Sequence, residues 1–591
     1  MRYLNLKTLI LPGSVATLLA GALIFDLPIL YIFTIVIGMG EILLAAYEKI
    51  RNKSGSLDYI AFLAMVIAVI TGEYLAGAVI ALMYTGGEAL ETYASHRAEA
   101  SLSALLARIP KTALVKQEDT LVATPLAQVP TGATIVVRGG ELVPLDGLLT
   151  SPNAVLNLAN LTGEPLPETI TAGAFIKSGS VNAGEAFELT VSGTLATSTY
   201  AKIVDLVKNA ERDQSPFVRL TTAANLPFTL LTLAISSGVY LITGDIGRVL
   251  AVLVIATPCP LIIAAPVAFI GGLSRAAGRN IIVKTPTALE TIAKVSTIFF
   301  DKTGTLTLGE PRLTEITRLD KHMTDMQVLS LAAALEFHSI HPLARAIIAA
   351  AEMRNFTPSP AVEVKETVGS GIEGRVDDHI ISLTQAPTHH HREGSISLLL
   401  TEDDRGIAIL HFADTLKDNA KKFLTELTSN GFKVAVLTGD RKENAEAIFS
   451  GIDISLYADC TPEDKYRIVD EAKARGEMVA MVGDGLNDAP ALAKADVGIV
   501  FSGTENSASI EAADVAILGH DIHHIHELLT LSKRSVRIAS QSVYAGIGLS
   551  TLGMLIAAFG FIKPVEGAII QEGIDITVIL NALRAAFKPR K

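Results

Sequence analysis

The chain has 591 residues, of which 49% are apolar and only 19% are charged, against about 25% charged residues in a typical soluble protein. The apolar residues lie in long runs, which excludes a purely soluble enzyme and a disordered chain. Asp and Glu (61) outnumber Lys and Arg (49), and the net charge of −12 argues against a nucleic-acid partner.

Eight apolar segments are long enough, or nearly so, to cross a lipid bilayer. They cover residues 8–25, 28–47, 57–71, 74–95, 217–242, 246–272, 536–560 and 565–586. Basic residues concentrate at one set of ends, for example Lys49 and Arg51 after the second segment and Lys533 and Arg534 before the seventh. The positive-inside rule then predicts that both termini and both large loops are cytoplasmic. We therefore expect a multi-pass protein of the cell membrane.

Two long polar blocks separate the apolar segments. The first, about residues 97–205, has short β-branched runs such as Thr134–Val137 and Phe187–Val191, which predict a β-rich domain. The second, about residues 280–530, alternates apolar strands with helical patterns and predicts a doubly wound parallel sheet. Residues 310–415 interrupt that pattern and predict an inserted domain. The predicted strands of the parallel sheet are residues 296–300, 434–437, 478–482 and 497–500.

Polar side chains follow three of these predicted strands. Asp301 begins the run DKTGTLT, and Asp484 lies in the run GDGLND at residues 483–488. The carboxyl ends of parallel strands meet at the ligand-binding edge of a sheet. There Asp301 can act as a nucleophile toward phosphate and can hold one Mg²⁺ together with Asp484. The TGD run at residues 438–440 can donate to a phosphoryl group, and Lys465 can supply positive charge.

These runs together resemble the P-type ATPase family over essentially the whole chain. DKTGTLT matches the phosphorylation motif of that family, and TGE at residues 162–164 matches the motif of its actuator domain. The resemblance implies that Asp301 becomes an aspartyl phosphate and that Glu164 positions the water that hydrolyses it. Asn157 and Asn160 stand where the family often has acidic residues. Further catalytic positions implied by the resemblance are Thr162, Gly163, Thr438, Gly439, Asp440, Lys465, Asn487 and Asp488, with Mg²⁺ on Asp301, Thr303 and Asp484.

The inserted domain carries two more motifs. EFHSIHP begins at Glu336, and GSGIEG begins at Gly369. Together they resemble the nucleotide-binding domain of the heavy-metal (class IB) branch, in which the His of the HP pair and the glycines contact adenine and ribose. The resemblance implies an ATP site at Glu336, His341, Gly369 and Gly371, with Thr303 near the phosphates.

The resemblance also implies a domain order and a fold class. We expect an α-helical membrane domain, a cytosolic α/β domain with a HAD-like doubly wound parallel sheet, and a β-rich actuator domain. The expected order is membrane helices 1–4 (residues 1–96), actuator domain (97–205), membrane helices 5–6 (206–275), N-terminal segment of the phosphorylation domain (276–308), nucleotide-binding domain (309–415), C-terminal segment of the phosphorylation domain (416–530) and membrane helices 7–8 (531–591).

The sixth and eighth apolar segments contain a candidate ion site. Cys259 lies between Pro258 and Pro260, which break the helix at membrane depth and free backbone carbonyls. Glu572 and Asp575, spaced i and i+3, share one face of the eighth segment. Charges inside a membrane are costly, so the three side chains predict a site for a transported ion. The alternatives are a buried apolar role for Cys259 and an interfacial position for the carboxylates.

One sulfur ligand among oxygens suits a borderline divalent ion, with Fe²⁺, Ni²⁺ or Co²⁺ ahead of Zn²⁺ and Cu⁺ disfavoured. The TPCP and QEGID runs also resemble a subgroup associated with nickel and ferrous-iron export. We therefore expect a single chain that exports a divalent transition-metal cation by using ATP and Mg²⁺. The alternatives are a zinc- or cadmium-exporting ATPase, a potassium-pump-type subunit that needs partner chains, and a non-transporting phosphatase or regulatory protein.

Two further features, a second cysteine and a run of histidines, give weaker indications of function. Cys460, beside Asp459 and Thr461, is expected to be structural. The His-His-His run at residues 389–391 predicts either an exposed loop of the nucleotide-binding domain or a regulatory metal patch.

Overall fold

The computed structural model describes most of the chain as two compact units, residues 1–294 with 527–591 and residues 295–526. The described residues are 6–25, 27–51, 59–98, 112–117, 120–157, 168–194, 198, 215–257, 259–337, 339, 341–354, 356, 360–367, 371–377, 379–387, 396–417, 419–440, 442–483, 488–501, 513–519 and 521–588. Several predicted site residues lie outside them, namely Thr162, Gly163, Glu164, Gly369, Asp484, Asn487, the His run at 389–391 and the side chain of Cys259.

The first unit opens with four apolar helices. They are α1 (Leu6–Phe25), α2 (Pro28–Arg51), α3 (Tyr59–Thr71) and α4 (Tyr74–Ala98). Small residues let α2 and α4 approach closely, since a Cβ on Gly38 would lie 2.6 Å from the Cβ of Ala81. The four helices coincide with the first four apolar segments of the sequence.

Two antiparallel sheets follow in the same unit. Their strands are β1 (Thr112–Gln117), β2 (Thr120–Pro125), β3 (Thr134–Val137), β4 (Gly147–Leu149), β5 (Asn153–Asn157), β6 (Glu168–Thr171), β7 (Phe175–Ile176), β8 (Val181–Asn182) and β9 (Phe187–Val191). One sheet has the order β2-β1-β3-β9-β4-β7 and the other β6-β5-β8. Ile135, Leu145 and Leu189 are fully buried among these strands. The predicted strands Thr134–Val137 and Phe187–Val191 are both present.

The chain then returns to apolar helices. They are α5 (Pro216–Ala223), α6 (Asn225–Thr243), α7 (Ile246–Ile255) and α8 (Cys259–Ala277), followed by β10 (Ile281–Val283) and α9 (Pro286–Lys294). The sixth apolar segment is therefore interrupted, because α7 ends at Ile255 and α8 begins only at Cys259. Prolines cannot donate the backbone hydrogen bonds that would continue α7, and the predicted helix break is present.

The second unit begins with β11 (Thr297–Asp301), a tight turn at Lys302–Leu306 and an antiparallel sheet. This sheet has the order β12-β17-β16-β15-β14-β13. Its strands and the two helices between them are β12 (Thr307–Arg318), α10 (Asp325–Glu336), α11 (Pro342–Glu352), β13 (Val362–Thr367), β14 (Gly371–Val376), β15 (His379–Gln385), β16 (Ile396–Glu402) and β17 (Arg405–Leu416). Leu335, Ile347 and Leu410 contribute to a core between helices and sheet.

A parallel sheet with alternating helices completes the second unit. Its elements are α12 (Ala420–Ser429), β18 (Lys433–Leu437), α13 (Lys442–Phe449), β19 (Ser455–Tyr457), α14 (Pro462–Ala474), β20 (Val479–Gly483), α15 (Ala489–Lys494), β21 (Val497–Phe501) and β22 (Val515–Ile517). Within this unit the strands run in the order β22-β21-β20-β11-β18-β19. The predicted doubly wound parallel sheet is thus confirmed. β11 and β20 begin and end one residue later than predicted, which makes Asp301 the last residue of its strand.

Two final helices, α16 (His523–Ala558) and α17 (Pro564–Leu583), end the described chain. Among the described residues, three helical stretches are both long and apolar enough to cross a membrane: Pro28–Tyr47, Pro216–Thr243 and His523–Ala558. Shorter apolar helices accompany them at Ile10–Phe25, Tyr59–Thr71, Tyr74–Gly87, Ile246–Ile255 and Ile262–Ala277. α17 is long enough, but it carries the carboxylates Glu566, Glu572 and Asp575.

Candidate functional site

Asp301 ends β11, a central strand of the parallel sheet. All five residues of β11 are buried, as expected for a parallel strand covered on both faces. Asp301 pairs in register with Leu437 of β18, and Phe300 pairs with Val482 of β20. The carboxylate therefore emerges where three strands end together, which is the edge at which such sheets bind ligands.

Lys465 reaches Asp301 from the first turn of α14. Thr461 caps this helix, because its hydroxyl accepts from the Asp464 N–H at 3.2 Å while the Asp464 carboxylate accepts from the Thr461 N–H at 3.1 Å. Lys465 Nζ lies 2.5 Å from Asp301 Oδ1 and 2.7 Å from Asp488 Oδ1. Lys465, Asp301 and Asp488 are only 8%, 5% and 2% exposed. The structure thus brings three of the predicted site residues into one buried trio.

The charges of this trio do not balance. Burial alone would lower the pKa of Lys465, but the carboxylates of Asp301 and Asp488 outweigh burial and raise that pKa. Lys465 therefore stays protonated, and two carboxylates share one ammonium group. The oxygens of these two carboxylates are hard ligands, which fits the Mg²⁺ that the sequence predicts.

Gly483 allows Asp488 to approach the end of β20. A Cβ on Gly483 would lie 2.7 Å from Asp488 Oδ2 and 3.1 Å from its Cβ. A larger residue at this position would push Asp488 away from Lys465. The first glycine of GDGLND therefore has a packing role that sequence reasoning did not identify.

Lys302 is a second buried cation at this edge, and sequence reasoning missed it. Its Nζ lies 2.5 Å from Asp440 Oδ2, and the residue is 5% exposed. The Asp440 N–H donates to Thr438 Oγ1 at 3.1 Å, which holds the turn after β18 in place. Asp440, one of the positions predicted to lie near a phosphoryl group, has its carboxylate paired with Lys302. Its position directly after Asp301 in the DKTG run could have identified Lys302 from the sequence.

A third lysine, Lys417, supports the turn after Asp301. Its Nζ donates to the carbonyl of Gly304 at 3.3 Å and lies 4.6 Å from the centre of the Phe501 ring. Gly304 has φ 68°, a left-handed conformation that favours glycine. No sequence motif pointed to Lys417, because its partners come from distant parts of the chain.

Glu336 is the last residue of α10, and His341 is the residue before α11. His341 caps α11, since its Nδ1 accepts from the Leu343 N–H at 3.2 Å. Burial raises the pKa of Glu336 to about 7, a hydrogen bond from Ser339 lowers it, and the negative charge of Glu366 raises it. Glu336 is thus a carboxyl group that changes charge near neutral pH.

Gly371 has a structural reason to be glycine. Its φ is 131°, and a Cβ there would lie 2.3 Å from the carbonyl oxygen of Leu383 in the neighbouring strand β15. Glycine at position 371 was predicted to let the backbone approach ATP. The structure adds a second reason, because glycine also lets β14 approach β15 closely.

Gln571 joins the helix break to Asp575 in the apolar part of the first unit. Its Nε2 donates to the Thr257 carbonyl oxygen at 3.3 Å and to Asp575 Oδ1 at 2.8 Å. Its Oε1 accepts from Ser550 Oγ at 3.1 Å. Gln571 and Asp575 are 0% and 8% exposed. One carboxamide therefore connects α16, α17 and the segment between α7 and α8.

Thr257 adds an unused polar atom to this cluster. Its side chain is 5% exposed, and its Oγ1 has no hydrogen-bond partner among the described residues. A buried hydroxyl without a partner is costly, and a ligand that contacts it would remove that cost. The i, i+4 spacing of Gln571 and Asp575 could have identified Gln571 from the sequence. No feature of the sequence pointed to the Thr257 hydroxyl.

The other two predicted ion ligands are Glu572 and Cys259. Glu572 is half-buried on α17, three residues before Asp575. Among the described residues, no three His, Cys, Asp or Glu side chains group closely enough to hold a metal ion. Cys259, whose side chain is outside this description, begins α8 two residues after Thr257.

Two stretches of the chain match known protein families. Residues 107–208 match the P-type ATPase actuator domain, and residues 295–496 match the haloacid dehalogenase-like hydrolases. With the apolar helices and the carboxylate at the sheet edge, these matches define the class of protein: a membrane-bound ATP hydrolase.

Relatives and a solved structure identify the family. A manganese-exporting P-type ATPase of Mycobacterium tuberculosis (strain CDC 1551 / Oshkosh) is 31% identical over 91% of this chain and 79% of its own length. A copper-exporting P-type ATPase of Legionella pneumophila is 32% identical over 87% of this chain and 74% of its own. The crystal structure of a zinc-transporting PIB-type ATPase in the E2.Pi state is 28% identical, with a TM-score of 0.66 over 99% of this chain and 100% of that one.

The chain belongs to the P-type ATPases, in their heavy-metal-transporting (PIB) branch. It is therefore an ATP hydrolase coupled to the transport of a metal cation across a membrane. P-type ATPases generally use ATP and Mg²⁺, in agreement with the two cofactors that the sequence predicts.

Proposed function

We propose that the chain exports a divalent transition-metal cation of the Fe²⁺, Ni²⁺, Co²⁺ or Zn²⁺ type across the plasma membrane. The observation that carries this proposal is the buried Asp575, held by Gln571 at the break between α7 and α8. A carboxylate inside a membrane domain is costly unless a cation compensates it. The helix break supplies freed backbone oxygens at the same place.

The proposed donor atoms favour some metal ions over others. Cys259 would add one thiolate to oxygens from Asp575, Glu572, the Thr257 hydroxyl and the Thr257 carbonyl. One sulfur among oxygens is too hard a set for Cu⁺, which prefers several soft sulfur ligands, and it suits borderline divalent ions. The relatives carry the names of manganese, copper and zinc exporters, so their names leave the metal open.

We propose that Asp301 is the nucleophile of the ATPase reaction. Its Oδ would bond to the γ-phosphorus of ATP while the bond from that phosphorus to ADP breaks. Lys465 would hold the carboxylate in place and neutralise charge on the phosphoryl group. Mg²⁺ would be held by Asp301, Thr303 and Asp484 and would supply further positive charge to the phosphates. Thr438, Gly439, Asp440, Asn487 and Asp488 would complete the surroundings of the phosphoryl group.

The other half of the reaction is assigned to a different domain. Glu164, in the run formed with Thr162 and Gly163, would position the water that attacks the aspartyl phosphate. ATP itself would be bound by Glu336, His341, Gly369 and Gly371. We further propose that both termini are cytoplasmic and that one chain is sufficient for transport, in keeping with the basic flanks of the apolar segments. Membership of the nickel and ferrous-iron subgroup stays a prediction.

A zinc or cadmium exporter is the second candidate. The structural likeness to a zinc-transporting PIB-type ATPase over nearly the whole chain favours it. A potassium-pump-type subunit is disfavoured, because a thiolate at the helix break suits transition metals rather than K⁺.

The test is ATP hydrolysis by the purified full-length protein across a panel of Mn²⁺, Fe²⁺, Co²⁺, Ni²⁺, Zn²⁺, Cd²⁺ and Cu⁺. We expect stimulation by Fe²⁺, Ni²⁺ and Co²⁺ above Zn²⁺. Cys259→Ala and Asp575→Ala are expected to remove the stimulation. Cys460→Ala is the matched control, because Cys460 belongs to the second unit and its thiol donates to the backbone carbonyls of Tyr457 and Ala458. Strongest stimulation by Cu⁺, or unchanged stimulation in both variants, would contradict the proposal.

A further inference from the structure

Four arginines form a basic cluster at one end of the membrane helices. Arg275 is in the last turn of α8, and Arg279 follows it. Arg534 is on α16, and Arg584 is the C-terminal cap of α17. We call these four residues the arginine cluster. Arginines from three different helices thus meet at one level of the first unit.

Close helix packing brings the cluster together. A Cβ on Gly271 of α8 would lie 3.0 Å from the Ala586 backbone nitrogen, and a Cβ on Gly272 would lie 2.4 Å from Ser535 Oγ of α16. Arg275 is one helical turn beyond Gly271 and so lies on the same face of α8. Arg275 and Arg534 are close enough for their positive charges to repel each other.

Arg534 is fixed in orientation by the end of α17. Its two terminal nitrogens donate to the carbonyl oxygens of Arg584 and Phe587, each at 2.7 Å. Both carbonyls lie just beyond the last residue of α17, and that of Arg584 also accepts from the Phe587 N–H at 3.3 Å. A guanidinium group has five N–H donors, so Arg534 retains donors beyond these two bonds.

The positive charge of the cluster is largely uncompensated. Glu527 is the carboxylate that faces the cluster among the described residues, where it pairs with Arg279 and also attracts Arg275. Arg584 donates to the neutral side-chain oxygen of Asn581 at 2.6 Å. Among the described residues, Arg275 makes no hydrogen bond or ion pair, although it is partly buried. Partly buried like charges repel, and an anion placed between them would relieve that repulsion.

We propose that the arginine cluster binds the phosphate of an anionic phospholipid headgroup. Planar guanidinium groups recognise phosphate through paired hydrogen bonds. Basic pockets between the ends of membrane helices are typical sites for such headgroups. The neighbouring Phe587 is 46% exposed and offers apolar surface to the lipid beside the charged site. This combination favours a lipid over free phosphate.

The headgroup would connect helices that carry the proposed ion site. α8 begins at Cys259 and carries Arg275 in its last turn, α16 carries Ser550, and α17 carries Asp575 before it ends near Arg584. A bound lipid would therefore hold the three helix ends together while the ion site works. This consequence rests on the proposed function, whereas the binding itself does not.

The experiment measures lipid binding and activity separately. The full-length protein is reconstituted in nanodiscs of phosphatidylcholine with or without phosphatidylglycerol, and retained lipid is identified by native mass spectrometry. We expect selective retention of phosphatidylglycerol by the unchanged protein. Arg275→Gln and Arg584→Gln are each expected to weaken this retention by about fivefold, because one basic residue near a membrane surface contributes on that scale.

Two controls make the result specific. Lys422→Gln removes an exposed lysine on α12 that pairs with Glu426 in the second unit, and it is expected to leave retention unchanged. Arg275→Lys keeps the charge but loses the planar fork, and an intermediate loss is expected. Equal retention by Arg275→Gln, Arg584→Gln and unchanged protein would overturn the proposal. Displacement of the lipid by millimolar inorganic phosphate would overturn the lipid as the source of the phosphate.

Metal-stimulated ATP hydrolysis is measured on the same nanodiscs. Stimulation by phosphatidylglycerol that is lost in Arg275→Gln would support the link between lipid and ion transport. A protein that shows no metal stimulation but keeps arginine-dependent lipid retention would count against the proposed function and for the lipid site.

Discussion

Lys465 Nζ lies 2.5 Å from Asp301 Oδ1, although 164 residues separate them in the sequence. The same ammonium group donates to Asp488 Oδ1 at 2.7 Å. These two contacts join the start of α14 to the end of β11 and to the start of α15. The carboxylate of the proposed nucleophile is therefore in direct contact with one buried ammonium group.

The first prediction concerns the nucleophile. Asp301→Asn keeps the size of the side chain but removes its charge and its reactive oxygen. We expect no acid-stable phosphoenzyme from radiolabelled ATP. Asp453→Asn, an exposed position after α13, is the control and is expected to label normally. Labelling of Asp301→Asn at the level of the control would reject the assignment.

The second prediction concerns Lys465. Replacing it by Met removes the ammonium group that pairs with both Asp301 and Asp488, and losing one partner of a buried ion pair costs about 3–5 kcal/mol of stability. We expect a clearly lowered melting temperature of the full-length protein in detergent and loss of phosphoenzyme. Lys473→Met on the same helix breaks a partly exposed pair with Asp496 and is expected to cost below about 1 kcal/mol.

Adding Asp488→Asn to Lys465→Met tests the cause. The second change removes one of the two carboxylates that paired with the lost ammonium group, so it is expected to restore part of the lost melting temperature. Further destabilisation by the second change would show that the charge of Asp488 is not responsible.

The third prediction is a pH dependence of ATP binding. The pKa of Glu336 is raised to about 7, so the group is mostly protonated at pH 6 and mostly ionised at pH 8. An ionised carboxylate accepts a hydrogen bond from the amino group of adenine, whereas a protonated one accepts it less well. The ionised fraction rises about tenfold between these pH values. We expect the KM for ATP to fall correspondingly as the pH rises.

Two variants separate Glu336 from other titrating groups. Glu336→Gln is expected to give a nearly flat profile between pH 6 and 8. Glu366→Gln removes the negative charge that helps to raise the pKa of Glu336, so its profile is expected to shift to lower pH. A profile that both variants leave unchanged would exclude Glu336 as the source.

The raised pKa also has a consequence for stability. An acid whose pKa is higher in the folded than in the unfolded state favours folding at low pH, and this contribution is lost as pH rises through about 7. We expect Glu336→Gln to lose less thermal stability than the unchanged protein between pH 6 and 8. Melting curves at the two pH values check this directly.

The fourth prediction concerns Glu164. If this residue serves only hydrolysis of the phosphoenzyme, Glu164→Gln is expected to accumulate phosphoenzyme while ATP turnover slows. Time courses of labelling and of phosphate release distinguish the two half-reactions. A variant that never becomes labelled would show that Glu164 acts before phosphoryl transfer.

The fifth prediction concerns Gln571. A hydrogen bond to a charged group contributes about 1.5–3 kcal/mol, so losing the bond from Gln571 Nε2 to Asp575 is a substantial change. We expect Gln571→Ala to raise the metal concentration for half-maximal ATPase activity about tenfold or more and to leave the KM for ATP unchanged. Thr577→Ala, a nearby exposed position on α17, is the control.

The amino-acid sequence alone predicted the parallel sheet, the break in the sixth apolar segment and the position of Asp301 at a strand end. Each of these follows from local information, because strand periodicity, proline chemistry and short motifs need no distant contacts. Asp301 itself was recognisable from the seven residues DKTGTLT. The family, too, is evident from such short runs.

Only the tertiary structure decided which charged and polar groups contact one another. Lys302 pairs with Asp440, Lys417 supports Gly304, and Gln571 bridges Thr257 and Asp575. These partners are brought together by strand order and helix packing rather than by sequence spacing, except for Gln571 and Asp575 on one helix. An ion pair or a buried hydrogen bond depends on distances of a few ångströms. Those distances are set by the packed core, and a sequence motif does not contain them.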